Sequence, residues 1–448
     1  MKRKIYNELI KWKLEDNGKS ALLIEGARRI GKSYIVEEFG RNEYKSYLLI
    51  DFSHVEKQVI TYFEEYATDL DALFMHLSLH FHTRLYPRNS LIIFDEVQTY
   101  PPARAAIKHL VADGRFDYIE TGSLVSIRRN VKDILIPSEE VHLQMFPMDF
   151  EEFLWALGDE MMMPFIRQCF ERRQPLGGLH RRAMDYFRQY MIVGGMPQAV
   201  AAFAENHDFM KAEKEKRKIV DLYRADIQKY AIGNESKVTT IFDNIPGQLQ
   251  KHEKKFRLSS LRNDAKMRDY ESSFLWLQDS QVVNICYNAT EPNLGLRLKM
   301  DNTTLKCYFG DTGLLITHSF DENLIKSGEL FRKLMLDKLE INKGMLVENL
   351  VAQMLRTQGH KLYFYSRYSD VADDRMEIDF LVAKPVISNR HNISPIEVKS
   401  TNRYTTVSLE KFIKKFGQYL ATPYIIHSAD YYEKDGITYI PFYMTPLL

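Results

Sequence analysis

Apolar residues in the first 125 positions fall in short unbroken runs, not in alternation. Ala21–Ile24, the stretch "KSYLLIDFS" (45–53), Leu91–Phe94 and "FDYIETGS" (116–123) each read as a strand, and the fully apolar Leu91–Phe94 reads as a buried parallel one. Between the first two lies a helix-compatible stretch from Lys32 to Phe39. From Asp149 to about Tyr230 the pattern changes to Leu, Phe and Met at helical spacing among charges, broken only at "VGGMPQAV" by Gly194, Gly195 and Pro197, a turn between helices. In "KKFRLSSLRNDAKMRDYESSFLWLQDSQVVNICY" a helix is expected after Leu258-Ser259-Ser260, then a turn, a second helix ending near Asp279 and an apolar strand. "KCYFGDTGLL" adds another strand and a turn, so residues 237–325 have the outline of a winged helix. Beyond them "NKGMLVENLVAQMLRTQG" reads as an amphipathic helix, and "KLYFYSR", "RMEIDFLVAKPV" and "PIEVKS" read as strands.

The first two elements frame Gly26-x-x-x-x-Gly31-Lys32-Ser33, the strand, glycine loop and helix order of a P-loop. The backbone of Gly26, Ala27, Arg28, Arg29, Ile30, Gly31, Lys32, Ser33 and Tyr34 would wrap the phosphates of ATP, with the positive end of the helix dipole behind them. Lys32 would reach the β- and γ-phosphates and Ser33 would hold Mg²⁺. The run Leu91–Phe94 ends in Asp95-Glu96, where a buried parallel strand presents its functional carboxylates. Asp95 suits a Mg²⁺ ligand acting through water, and Glu96 suits the base that polarises the attacking water. Thr121 and Ser123 stand where a polar side chain would touch the γ-phosphate or that water; a turn with a helix N-cap explains them equally well.

A second set of chemistry-bearing residues lies near the end of the chain. Glu348 sits on the amphipathic helix, Asp379 on one strand, and Glu397 with Lys399 on the next. Glu397 and Lys399 share a strand face. Glu348, Asp379 and Glu397 are hard oxygen donors suited to Mg²⁺, and Lys399 would orient the attacking water. The alternative is a relic that keeps the fold without cutting, or an ordinary surface ion pair.

The 448 residues suffice for about three domains. Lys+Arg 61 against Asp+Glu 60 leaves a formal net charge of +1, so any nucleic-acid surface must be local. Lys254, Lys255, Arg257, Arg262, Lys266 and Arg268 supply one such basic stretch, although a charge run is usually a solvated face. Cys169, Cys286 and Cys307 are too scattered for a disulfide framework or zinc knuckle and suit a reducing compartment. The charged start lacks an apolar signal core and no later run approaches the ~18 apolar residues of a membrane span, so a cytoplasmic protein with no membrane partner is expected.

"LLIEGARRIGKS", "LIIFDEVQ", "YIETGS", "LQMFPMDFEEFL", "YMIVGGMPQAV" and "DLYRADIQKY" stand in the order and spacing of a prokaryotic AAA-type ATPase family, which the chain resembles over nearly its whole length. Members carry a C-terminal domain of unknown function that looks like a PD-(D/E)XK nuclease. The resemblance implies an α/β fold with a P-loop AAA-type parallel sheet at 1–150 and a helical lid at 151–236. A winged-helix-like segment at 237–325 and a restriction-endonuclease-like α/β domain at 326–448 follow. The family usually shows Gly-Arg where this chain has "LIPSEE" (135–140); Arg128 and Arg129 are the nearest substitutes, and both also suit ordinary surface charges. Two functions stay open: an ATP-driven enzyme acting on DNA, or a nucleotide-dependent switch that docks protein partners or itself and cuts nothing.

Overall fold

The computed structural model describes residues 1–122, 138–251, 253–293, 295–320, 323, 325, 327–338, 343–369, 371, 374–383, 392–401 and 403–448. It divides into two compact units, residues 1–146 and 147–448.

In the first unit the elements are α1 (Ile5–Asp16), β1 (Ala21–Glu25), α2 (Lys32–Glu43), β2 (Ser46–Asp51), α3 (Lys57–Glu65), α4 (Leu70–His80), β3 (Ser90–Asp95), α5 (Pro101–Asp113), β4 (Asp117–Gly122) and β5 (Glu140–Gln144). The five strands form a parallel sheet in the order β2-β3-β4-β1-β5. β3 and β4 are buried at every position, which is why their sequences are unbroken apolar runs and not alternating ones. On one face, Phe52, Phe63, Phe94 and Tyr118 pack with α3, α4 and α5, with the Phe52–Phe94 and Phe63–Phe94 rings edge to face at 5.5 and 5.8 Å. The same interior holds an ion pair, Arg104 to Glu140 at 2.8 Å, beside Glu120. Burial and the Glu140 charge push the Glu120 carboxyl well above its usual range. β5 is an edge strand whose "EVHLQ" has two apolar residues, one of them the exposed Val141, so periodicity does not betray it.

The second unit begins with helices at Phe150–Ala156, Met162–Glu171, His180–Val193, Pro197–Ala204, Phe209–Tyr230 and Glu235–Leu249. The turn at "VGGMP" is fixed by close approach. Gly194 has φ 79°, and a Cβ there would fall 2.2 Å from Asp311 Oδ1. Asp311 accepts from Gly195 N at 2.5 Å and from Leu314 N at 2.9 Å, and buried Lys216 Nζ donates to Ile192 O at 2.8 Å.

The helix expected after residue 258 is a single 3₁₀ turn, Leu258–Ser260. Side chains claim the backbone there: Ser260 Oγ donates to Arg257 O at 2.7 Å, and Gln248 Oε1 accepts from Arg257 N at 3.2 Å. The later helix, Glu271–Asp279, ends where the spacing places it.

The remaining strands are β6 (Val283–Ala289), β7 (Met300–Phe309), β8 (Tyr363–Arg367), β9 (Met376–Ala383), β10 (Ile393–Val398), β11 (Tyr424–His427), β12 (Tyr432–Lys434) and β13 (Ile437–Pro441). They form one sheet, β12-β13-β11-β10-β9-β8-β6-β7. The β6–β7 hairpin therefore extends the C-terminal sheet through parallel pairing of β6 with β8, across the 325/326 boundary drawn from the sequence. β8, β9 and β10 run antiparallel in turn, and β11 lies parallel to β10. The helix Lys343–Thr357 precedes this meander and Val407–Phe416 joins β10 to β11. No helix among the described residues is long and apolar enough to cross a membrane.

Candidate functional site

The strand order of the first unit sets β4 between β3 and β1, so the loop after β1 and the carboxylates ending β3 flank the end of β4. Lys32, 6% exposed at the start of α2, donates from Nζ to Gly26 O at 3.0 Å and to Ala27 O at 2.9 Å. Burial pulls its pKa down, opposed by the charges of Glu96 and Asp95. Ser33 Oγ donates to Asp95 Oδ1 at 2.9 Å, and Thr121 Oγ1 donates to the same oxygen. Glu96 N donates to Thr121 Oγ1 at 3.4 Å. One carboxylate oxygen thus ties together the ends of β3 and β4 and the start of α2.

Glu96 is held at φ 51°, a left-handed conformation rare outside glycine, and Gln98 Nε2 donates to its Oε2 at 2.5 Å. Gly31 (φ 90°) and Arg29 (φ 68°) give the loop its curl. A side chain at Gly26 would meet Met145 O at 2.6 Å. Arg28, Arg29 and Tyr34 are exposed. A hydroxyl and a carboxylate 2.9 Å apart, at a helix start lined by backbone N–H groups, fit a phosphate-bound Mg²⁺.

Sequence reasoning missed Arg3. Buried at 7% exposure, it donates from Nη1 to Ile30 O at 2.9 Å and from Nη2 to Phe146 O at 2.7 Å, bracing the loop from behind. Nothing in the charged run "MKRKI" separates it from its exposed neighbours. Ser123, Arg128 and Arg129 lie outside the described residues.

At the C-terminal end, the β9–β10 register pairs Phe380 with Ile396 and brings Asp379 and Glu397 to one region of the sheet. Glu348 faces it from the helix Lys343–Thr357. The expected set of metal ligands does not form there. Among the described residues, no group of three or more His, Cys, Asp or Glu side chains is placed to hold a metal ion.

The reason is an ammonium that the sequence did not flag. Lys306, on β7 and 1% exposed, lies 3.4 Å from Glu348 Oε1, 3.4 Å from Asp379 Oδ1 and 3.0 Å from Glu377 Oε1. Tyr308 OH donates to Glu348 Oε1 at 2.5 Å, Lys254 pairs with Glu348 Oε2, and Val398 N donates to Asp379 Oδ2 at 2.9 Å. Burial alone would raise Glu348, but Lys254 and Lys306 hold its pKa down at about 2. Burial and the Glu348 charge raise Asp379. Glu397 stands apart, its Oε2 paired with Lys399 Nζ at 2.5 Å; burial lifts its pKa to about 7 against the pull of Lys399. Lys399 Nζ also lies 5.9 Å from the centre of the Tyr404 ring. The signal that could have pointed to Lys306 was its place in "LKCYF", a charged residue in a buried apolar strand.

Four of the six side chains of the basic stretch have an acidic neighbour. Arg257 pairs with Glu253 at 3.1 Å, Arg262 with Asp264 at 2.5 Å, Arg268 with Asp269 at 3.7 Å, and Lys254 with Glu348.

Three family descriptions match successive parts of the chain: an AAA domain over residues 18–154, and domains of unknown function over 184–323 and 343–444. No curated protein matches. Among solved structures, the Walker-type ATPase of Pyrococcus abyssi is similar at 13% identity and TM-score 0.44, over 71% of this chain and 96% of that one. AMPPCP-bound DnaA from Aquifex aeolicus is similar at 12% identity and TM-score 0.25, over 62% of this chain and 84% of that one. Drosophila ORC bound to DNA is similar at 11% identity and TM-score 0.29, over 73% of this chain and 95% of that one. With the P-loop geometry above, the match over 18–154 makes the first unit an AAA-type, ATP-binding domain.

Proposed function

We propose that this chain is an ATP-hydrolysing switch whose C-terminal unit has the layout of a nuclease but docks a partner instead of cutting DNA. The hydrolytic half is carried by one observation, the sharing of Asp95 Oδ1 between Ser33 and Thr121. Ser33 and Asp95 would hold Mg²⁺, which draws charge from the β- and γ-phosphates when bound. Lys32 leaves the carbonyl oxygens of Gly26 and Ala27 for the phosphate oxygens, exchanging neutral acceptors for anionic ones. Glu96 takes the proton of the attacking water on its carboxylate, and Gln98 keeps that carboxylate turned the right way. Lys32→Ala should abolish ATP binding in equilibrium dialysis; unchanged binding would overturn the assignment.

Two observations support the non-cutting half. Helix, three antiparallel strands, helix and parallel strand carry Glu348, Asp379 and Glu397-x-Lys399 in the nuclease-like order, yet Lys306 and Lys254 take up the acids. The basic side chains of 254–268 lean largely on acidic neighbours, which favours a protein partner over a phosphate backbone.

The DNA-acting reading has the basic run itself in its favour. A salt-dependent gel shift on duplex and single-stranded DNA, with and without ATP, separates the two. The docking reading predicts no shift even at low salt. A shift abolished by charge reversal at Arg262 and Lys266 would install the DNA reading in its place.

A further inference from the structure

We propose that Lys306 is a resident cation standing in the place of a divalent metal, so that the C-terminal carboxylate cluster works without metal. This deepens the reading of that unit as non-cutting and rests on it, while standing apart from the ATP site.

The carboxylates of the cluster converge on an ammonium. Glu348, Glu377 and Asp379 surround one point from a helix and a strand, and the atom at that point is Lys306 Nζ, within 3.0–3.4 Å of all three. Uncompensated acids buried together repel one another strongly, so such a site must be filled by a cation, take up a proton or lose an acid. Here the chain supplies the cation itself. β7 pairs antiparallel with β6 on one side, Cys286 opposite Lys306, and Lys255 bridges to Lys306 on the other. The backbone that carries the ammonium is thus held on both edges, and its side chain is 1% exposed.

Glu348 and Asp379 have further donors as well. Glu348 Oε1 accepts from Tyr308 and its Oε2 faces Lys254, while Asp379 Oδ2 accepts from Val398 N. An incoming divalent ion would have to displace Lys306 and break these bonds. It would also add two charges to a cluster where two lysines already face three carboxylates. Mg²⁺ needs a near-ideal octahedron of oxygens at about 2.0–2.1 Å, whereas the three carboxylate oxygens stand 3.0–3.4 Å from the ammonium, the spacing of an ion pair. The sharing also explains why Glu397 does not join its expected partners. With Lys306 neutralising Asp379, Glu397 is left to Lys399.

The test uses the full-length, nucleotide-free chain and Mn²⁺ as the probe, with bound ion counted by electron paramagnetic resonance. Wild type and Asp379→Asn are expected to bind Mn²⁺ identically. Lys306→Ala should gain a saturable site at least tenfold tighter than any in the wild type, and Lys306→Ala/Asp379→Asn should lose it. A wild-type Mn²⁺ site that vanishes in Asp379→Asn overturns the proposal, as does a folded Lys306→Ala chain with no gained site. Where Lys306→Ala does not fold, the wild-type and Asp379→Asn comparison decides alone. DNA cleavage that persists in EDTA would sink the non-cutting reading while leaving the role of Lys306 intact.

Discussion

Both units place carboxylates beside a buried lysine, and the two lysines are held in opposite ways. In the first unit Lys32 rests on two backbone carbonyls, neutral acceptors that it can leave for a phosphate. In the second, Lys306 rests on Glu348, Glu377 and Asp379, anions it cannot leave without stranding charge in the interior. The acids differ to match. Asp95 accepts from the hydroxyls of Ser33 and Thr121, and hydroxyls can turn toward another ligand. Glu348 is held by two ammonium groups and a tyrosine. Lysine next to acid therefore says little about function until the lysine's present acceptors are known.

The sharpest way to break this contrast is to neutralise one acid in each region. Glu348→Gln removes a buried partner of two lysines and should cost about 3 kcal/mol in urea unfolding. Asp95→Asn keeps an acceptor for both hydroxyls and should cost less than about 1 kcal/mol while impairing ATP hydrolysis. Equal stability losses would erase the distinction.

An effect of similar size but confined to a pH window is expected from Glu397. Its folded pKa of about 7 lies above the ordinary 4.5, so the unfolded chain gives up this proton more readily than the folded one. Its contribution to stability is full below about pH 4.5 and is lost as the pH rises through 7. Glu397→Gln removes that loss, so relative to the wild type it should gain about 3 kcal/mol between pH 4.5 and pH 8, read from denaturation at each pH. A variant whose stability tracks the wild type at every pH would show Glu397 to be unperturbed.

β1, β3 and β4 of the first unit were legible because each is buried on both faces over nearly its whole length and so writes itself as an apolar run. The P-loop was legible because its glycines and lysine act at fixed local spacing. β5 escaped because an edge strand need not be apolar. Arg3 escaped because its partners, Ile30 and Phe146, lie 27 and 143 residues away. In the second unit the order of Glu348, Asp379 and Glu397 was legible, but the occupant of the cluster was not. Lys306 comes from a strand that sequence grouped with another segment, and only the sheet pairing of β6 with β8 carries it there. Long-range pairing is what local periodicity cannot encode.

The central claim, hydrolysis at the end of β3, is tested most directly by Glu96→Gln in a single-turnover assay with ATP and Mg²⁺ at saturating protein. The account predicts that nucleotide stays fully bound while the rate of phosphate release falls by at least ~100-fold, the scale of a lost general base. A Glu96→Gln chain that binds ATP and hydrolyses it at the wild-type rate would contradict it.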